Sequence, residues 1–411
     1  MLLRRPVAVL AALVVLGSLA ACGGDDEPAP DPTPEATEAF DPAELDLGRI
    51  DPTRTDLSAA ASPELARRAA SYELGELLVQ PQEVDPELIM ANVDSGSAVS
   101  PEDFGFVFEG DTTPLQSSTA AIVARKSDPD FENWIATGVV AFPDEAAAQA
   151  AAAAMHQLAL APVPEEFTPD PYAASEVPGR AAALGGTRVV ADWVTVKVFE
   201  AAGPFVMYAW ISEDVEPETA LDLAADFLDE QAERLEDTQP VVANDSPTKR
   251  ELDPSGLWGL TLATDVNGGL AETAHLSGPR ASLIHQIDLE GLDDAYEDSG
   301  LERVATNAAV LYRTSEDGGP QILLDAFLTQ AEKANLEVTD PPPGLEDDDA
   351  ACVMGEVSEI EGVWPTHMCW IVFEDTLIEA GGSTIEEARQ VASAQLMLVF
   401  QSGGDRKRMT G

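Results

Sequence analysis

The chain has 411 residues, with 22 Lys+Arg against 75 Asp+Glu, a formal net charge of −53 at pH 7 and 45% hydrophobic residues. That apolar content supports folded cores, and the length suits two or three domains. A surface this acidic repels nucleic acid and anionic headgroups, so nucleic acid is excluded as a partner; cations, basic proteins or a salty medium remain, and a salt-adapted source would give the same surface with no partner at all.

The N-terminus reads as an export signal. Arg4 and Arg5 form a positive region, Pro6 to Leu19 is an apolar-to-small run, and Leu19-Ala20-Ala21-Cys22 has the form of a lipobox. The expectation is a signal peptide over 1–21 taking the general secretory route. Cys22 would be the lipid-attachment residue, carrying a diacylglyceryl thioether and further acylation (palmitate) and holding the protein on the extracytoplasmic face of the cell membrane. The apolar run is shorter than the ~20 residues of a spanning helix, so no transmembrane helix is expected in the mature protein. Residues 22–40 follow as an acidic linker with Pro28, Pro30, Pro32 and Pro34 and no basic residue, stiffened by proline and extended by like charge into a spacer. With Cys22 assigned to lipid, Cys352 and Cys369 form an even pair, and outside the cytoplasm they are expected to oxidise to a disulfide.

Residues 41–238 read as an N-terminal α+β domain. Ser62-Pro63-Glu64 opens a helix running to Ser71. Phe104–Phe108, Ala120–Ala124 and Trp134–Phe142 are strands. Pro143-Asp144-Glu145 starts an alanine-rich helix, and Pro162–Pro178 is looser. Trp193–Phe199 and Phe205–Ile211 form a hairpin around Gly203-Pro204, since Val194, Val196 and Val198 alternate with larger neighbours. From Pro217, Leu221, Ala225, Leu228, Ala232 and Leu235 make one apolar helix face.

Residues 239–255 are the expected interdomain linker, with Pro240, Pro247 and Pro254. The C-terminal α+β domain, 256–401, repeats the plan: a strand over Val304–Tyr312, a helix over Gln321–Ala334, and strands at Cys352–Val357, Met368–Phe373 and Thr376–Ala380. A last helix begins at a Ser383/Glu386 capping box and carries Ile385, Ala388, Ala392, Leu396 and Val399 on one face. Residues 402–411 are expected to be a disordered tail. The fold class is α+β, two similar domains, each an antiparallel sheet with helices packed on one face.

Several stretches together resemble a family of actinobacterial lipoproteins of unknown function with paired N- and C-terminal domains. They are Leu45-Asp46-Leu47-Gly48 followed by Pro52-Thr53, Leu78-Val79-Gln80-Pro81 leading to Glu83-Val84-Asp85-Pro86, Phe142-Pro143-Asp144 before the alanine-rich helix, and Cys352 with Cys369-Trp370. Arg49-Ile50-Asp51 departs from the Asn-Tyr expected before that Pro-Thr. The resemblance implies a location and an architecture, and brings no activity or catalytic residue.

The residues themselves supply no catalytic constellation. GxSxG, P-loop, GxGxxG and HExxH motifs are absent, and His156, His275, His285 and His367 are scattered, with His275 and His285 flanking Gly278-Pro279. The acidic runs Asp288–Asp298 and Glu346–Asp349 read as solvated faces before calcium sites; Asp265-Val266-Asn267-Gly268 starts like an EF-hand loop but lacks its later glycine and glutamate. Trp193, Trp210, Trp258 and Trp370 read as core, and Trp364 as a contact candidate. No cofactor and no metal is expected. The function expected is a non-catalytic binding or scaffolding module of the cell envelope, tethered to the membrane, with an envelope protein or a small apolar ligand as partner. A hydrolase with an unrecognised site, or an accessory or sensor subunit of an envelope complex, is the alternative.

Overall fold

The computed structural model describes residues 41–90, 111–161, 171–190, 193–239, 247–263, 275–286, 288–355 and 367–409. The expected signal, Cys22 and its linker, the Phe104–Phe108 strand, the Asp265–Gly268 loop and Trp364 lie outside these residues. No helix among the described residues is long and apolar enough to cross a membrane.

Helices α1 (Pro63–Gly75) and α2 (Pro81–Val84) come first. Ser62 accepts the Leu65 N–H at 3.1 Å, and Pro63 begins α1 where no N–H is needed. Then come β1 (Ala120–Ser127), β2 (Trp134–Ala141) and α3 (Glu145–Ala159), the last capped by Asp144. The first half is completed by β3 (Ala173–Ser175), β4 (Leu184–Val190), β5 (Trp193–Ala202), β6 (Phe205–Glu213) and α4 (Pro217–Leu235). Gly203, at φ +56°, opens the two-residue β5–β6 turn, a backbone region open to glycine and costly for most residues. All strand pairs are antiparallel, in the order β1-β2-β6-β5-β4-β3.

After the short α5 (Lys249–Leu252) come β7 (His275–Ser277), α6 (Pro279–Leu283) and α7 (Leu292–Asp298). The plan of the first half then returns: β8 (Leu301–Thr306), β9 (Val310–Thr314), α8 (Gly319–Lys333), β10 (Glu337–Thr339), β11 (Ala350–Met354), β12 (His367–Phe373), β13 (Thr376–Gly381) and α9 (Ile385–Met409). The second sheet has the order β7-β8-β9-β13-β12-β11-β10, so from β8 onward it reproduces the first strand for strand.

The α+β class and two antiparallel sheets are as expected, but helices cover both faces of each sheet where one covered face was expected. On the first, α4 packs with Val194, Val196 and Val198, while α3 packs with Phe199, Val206 and Tyr208. On the second, α8 covers Tyr312, Val353 and Trp370, and α9 lies against β11, β12 and β13. Successive strand residues point to opposite faces, and here both parities are apolar, which requires two covers.

Four local expectations change. Val304–Tyr312 is two strands, because the Asn307 N–H bonds to the Ala309 carbonyl at 2.9 Å and turns the chain. The three-residue strands β3, β7 and β10, and β4 with its Gly185-Gly186 pair, carry too little alternation to be read from sequence. The last helix is capped one residue later than expected, with Thr384 Oγ1 accepting the Glu387 N–H at 3.1 Å while Glu387 reaches back to the Ser383 N–H at 2.9 Å. That helix also continues past 401 to Met409, with buried Ser402 bonded to the Leu398 carbonyl at 2.6 Å.

The two sheets meet at α1. Ser71 Oγ accepts the Ala121 N–H of edge strand β1 at 3.0 Å, and Tyr72 stacks on His275 of edge strand β7 with ring centroids 4.0 Å apart. Residues beyond α1 continue the seam: Met90 exchanges backbone bonds with Ser127 of β1 at 2.9 and 2.7 Å, and Leu289 N–H donates to Ile89 O at 3.0 Å. Lys126 of β1 is fully buried and donates to the carbonyls of Leu283 (3.1 Å) and Gln286 (2.5 Å) just past α6. Burial lowers its pKa to about 7. Tyr72 OH lies 2.9 Å from His285 Nε2, and packing of the ring into this seam, helped by His275 and Lys126, lowers the His285 pKa to about 3, although the residue keeps an exposed side.

Two predictions follow from this framework. Cys352 and Cys369 are opposite partners on β11 and β12, bonded, with Cα atoms 4.0 Å apart and 17 residues separating them; replacing both with alanine lowers unfolding free energy by about 2–4 kcal/mol in denaturant titrations. His285 has a depressed folded pKa, so the unfolded chain binds its proton first. Stability is intact above pH 6.5 and falls as pH drops towards 3, by less than a fully buried histidine would give because His285 is exposed to solvent on one side. His285→Gln flattens that slope between pH 6.5 and 4; an unchanged slope contradicts the assignment.

Candidate binding site

The residues singled out in the sequence are mostly consumed by the fold. His156 ties α3 to β4, its Nε2 lying 3.0 Å from the Gly185 carbonyl. His275 and His285 do come together, with ring centroids 5.4 Å apart, but around Tyr72 and a backbone seam, with no carboxylate–nucleophile pair. His367 opens β12. In the Asp288–Asp298 run, Leu292, Ala295 and Tyr296 bury one face of α7 while Glu290 pairs with Lys333 at 2.8 Å. Glu346–Asp349 is a turn closed by the Asp349 N–H on the Glu346 carbonyl at 3.2 Å. Among the described residues no three metal-ligating side chains converge. Trp193 donates to Ser212 Oγ at 2.7 Å, and Trp258 and Trp370 are buried.

Among the carboxyl groups that burial raises, Glu213 and Glu379 are candidates for catalysis. Burial, with Asp85 and Asp128 nearby, raises the Glu213 pKa to about 7. Burial also raises Glu379, which accepts from Trp370 Nε1 (3.0 Å) and from Tyr312 OH (3.3 Å). Neither has a histidine, serine or cysteine against it in a geometry that transfers a proton to a nucleophile. A cavity of 370 Å³ beside Asp293, Tyr296 and Glu83 fares no better, because Glu83 is already held by Arg234 and Arg280, each at 2.6 Å.

Sequence reading missed the distribution of positive charge. On the α3 face of the first sheet, Arg125 lies over Trp134 (3.9 Å), Trp134 meets Trp210 edge-on (4.6 Å), Lys197 lies over Trp210 (4.2 Å) and Tyr172 (5.2 Å), and Arg188 covers Tyr172 (4.5 Å). Three cations are thus carried on aromatic faces along one row across the strands, a pattern that exists only once strand register is known.

An open cavity of 540 Å³ lies between residues 54–58, residues 250–260, β9, the β12–β13 turn and α9. Its walls carry Arg54, Arg250 and Arg313. A β-bridge from Arg54 to Leu262 fixes the first segment, and Thr55, Thr261 and Asn307 lock together through side-chain contacts of 3.0–3.2 Å. The second segment is wound around buried Asp253, which accepts from Ser255 Oγ (2.6 Å) and the Gly259 N–H (3.2 Å). A Cβ on Gly259 would stand 2.7 Å from Leu57, so glycine there lets the two segments close together. Arg313 Nη1 points to the Ser255 carbonyl at 3.4 Å. In volume the cavity suits a small-molecule ligand.

Residues 57–249 match a family described as Domain of unknown function (DUF7373) N-terminal. No curated protein matches. Among solved structures, the extracellular domain of PknH from Mycobacterium tuberculosis is similar at 19% identity and a TM-score of 0.28, over 38% of this chain and 94% of that chain. The family match takes in the first sheet with its helices and ends at Lys249, so this part of the chain is similar to a domain family whose function is unknown.

Proposed function

We propose that this protein is a lipid-anchored, extracytoplasmic binding module of the cell envelope and that it is not an enzyme. The N-terminal Leu19-Ala20-Ala21-Cys22 motif, with a charged and apolar run before it and a proline-rich acidic spacer after it, supports the anchor. One observation carries the binding reading: the 540 Å³ cavity has arginines, aspartates, hydroxyls and backbone on its walls and no histidine or cysteine, while Lys126 and Glu379 are hydrogen-bonded within the interior. Such a wall can hold a ligand, and its aspartates accept hydrogen bonds from their own neighbours.

The anchor and the binding role are tested separately. Cys22→Ala leaves the precursor uncleaved or releases the mature chain from the membrane, and labelled palmitate is no longer incorporated; a variant sedimenting with membranes and labelling like the wild type contradicts lipidation at Cys22. For the binding role, photo-crosslinkers placed at Ser58 and Ser255 in intact cells capture a discrete ligand or envelope partner. Turnover of any substrate in a broad hydrolase screen of the purified protein overturns the non-catalytic reading.

A further inference from the structure

We propose that the 540 Å³ cavity is an oxyanion site whose ligand is a soluble phosphate monoester. The inference rests on the binding-module reading and adds the chemistry of the ligand. Three of the fifteen residues on its walls are arginines, in a chain with only 22 Lys+Arg among 411 residues. They come from three separate parts of the chain, residues 54, 250 and 313, so no single helix or loop brings them together by sequence proximity. A guanidinium presents its N–H groups as a fork, and several forks around one space match the multiple oxygens of a tetrahedral dianion better than the two of a carboxylate.

Three aspartates share these walls, yet their hydrogen bonds are largely spent locally. Asp253 gives both oxygens to its own loop, at 2.6 Å to Ser255 Oγ and 3.2 Å to the Gly259 N–H. Asp56 accepts from the Ser58 N–H and Oγ at 2.8 and 2.7 Å, and Asp375 from Thr376 Oγ1 at 2.9 Å. Arg250 is exposed, and among the described residues its guanidinium has no hydrogen-bond or ion-pair partner. A lipid headgroup offers the same phosphate chemistry, but a chain of net charge −53 is repelled from an anionic bilayer, which favours the soluble ester.

The test is isothermal titration of the full-length lipidated protein in neutral detergent with inorganic phosphate, glycerol 2-phosphate and acetate, and a parallel flotation assay with phosphatidylglycerol vesicles. Saturable binding of phosphate and of the ester is expected, weakened by added salt, with acetate far weaker. Arg250→Ala and Arg54→Ala each reduce affinity by about tenfold or more, at unchanged thermal midpoint. No saturable heat at millimolar phosphate or ester overturns the proposal, as does wild-type affinity in the Arg54→Ala/Arg250→Ala double variant. Tighter, cavity-dependent binding to the vesicles overturns the soluble source. If phosphate and the ester fail while the crosslinkers at Ser58 and Ser255 still capture a ligand, the oxyanion assignment falls and the binding module stands.

Discussion

A β-sheet edge that faces other protein must find partners for its free amides and carbonyls, and two such edges meet here at one helix. Strands β1 and β7 are the facing edges, and α1 lies between them. Water is not available to satisfy buried strand groups, so side chains do it: Ser71 takes an amide of β1, and the β1 lysine, Lys126, takes two carbonyls from the turn after α6. Gly75 permits the approach, since a Cβ there would stand 2.9 Å from that of Ala281. The core follows the same seam: Ala281 and Ile284, from the second half, belong to the hydrophobic cluster of the first sheet, and Ile89 packs into that of the second. The relation between the two sheets therefore depends on α1 and the thirty or so residues around it.

The negative charge of the chain and the use of its few cations are two sides of one arrangement. Acids are spread over the surface, where water and salt screen them. Cations are placed where they connect. Arg234 of α4 and Arg280 of α6 both grip Glu83, and Arg280 also donates to the Glu76 and Leu78 carbonyls. Arg180 joins Glu200 of β5 to Asp229 of α4. Pairs of this kind contribute little to stability when exposed, but a guanidinium that also satisfies buried carbonyls is costly to remove, because the carbonyls are then left unpaired. Net charge alone reads as a surface property, and it hides how much of the interior is stitched by arginine and lysine.

What could be read from the sequence followed from local physics. The α4 face, the β5–β6 hairpin and the Ser62 and Asp144 caps are set by residues within one or two turns of each other. The Cys352–Cys369 bond was legible for a different reason, the arithmetic of an odd cysteine count with one sulfur assigned elsewhere. The Asn307 turn was missed because Val304 to Tyr312 is apolar apart from Thr306 and Asn307 and the closing Tyr312 hydroxyl, and one asparagine does not announce a hairpin. The cation–aromatic row and the arginine cavity were illegible in principle. Arg125, Lys197 and Arg188 sit on three strands, and only register places them side by side.

The two halves share a strand order and a helix order, but they are fastened differently at corresponding places. In the first half the β4–β5 region carries Arg188, Lys197 and Tyr172 in contact; in the second, the corresponding β11–β12 pair carries the disulfide. A repeated scaffold of this kind leaves each copy able to diverge wherever no partner constrains it. The arginine cavity forms where the repeat is broken. Residues 54–58 precede both copies and 250–260 lie between them, and these two segments close over β9, the β12–β13 turn and α9 of the second copy alone. The second sheet therefore provides one wall and the chain outside the repeat provides most of the chemistry, so the family-matched residues 57–249 include only Leu57 and Ser58 of the cavity wall.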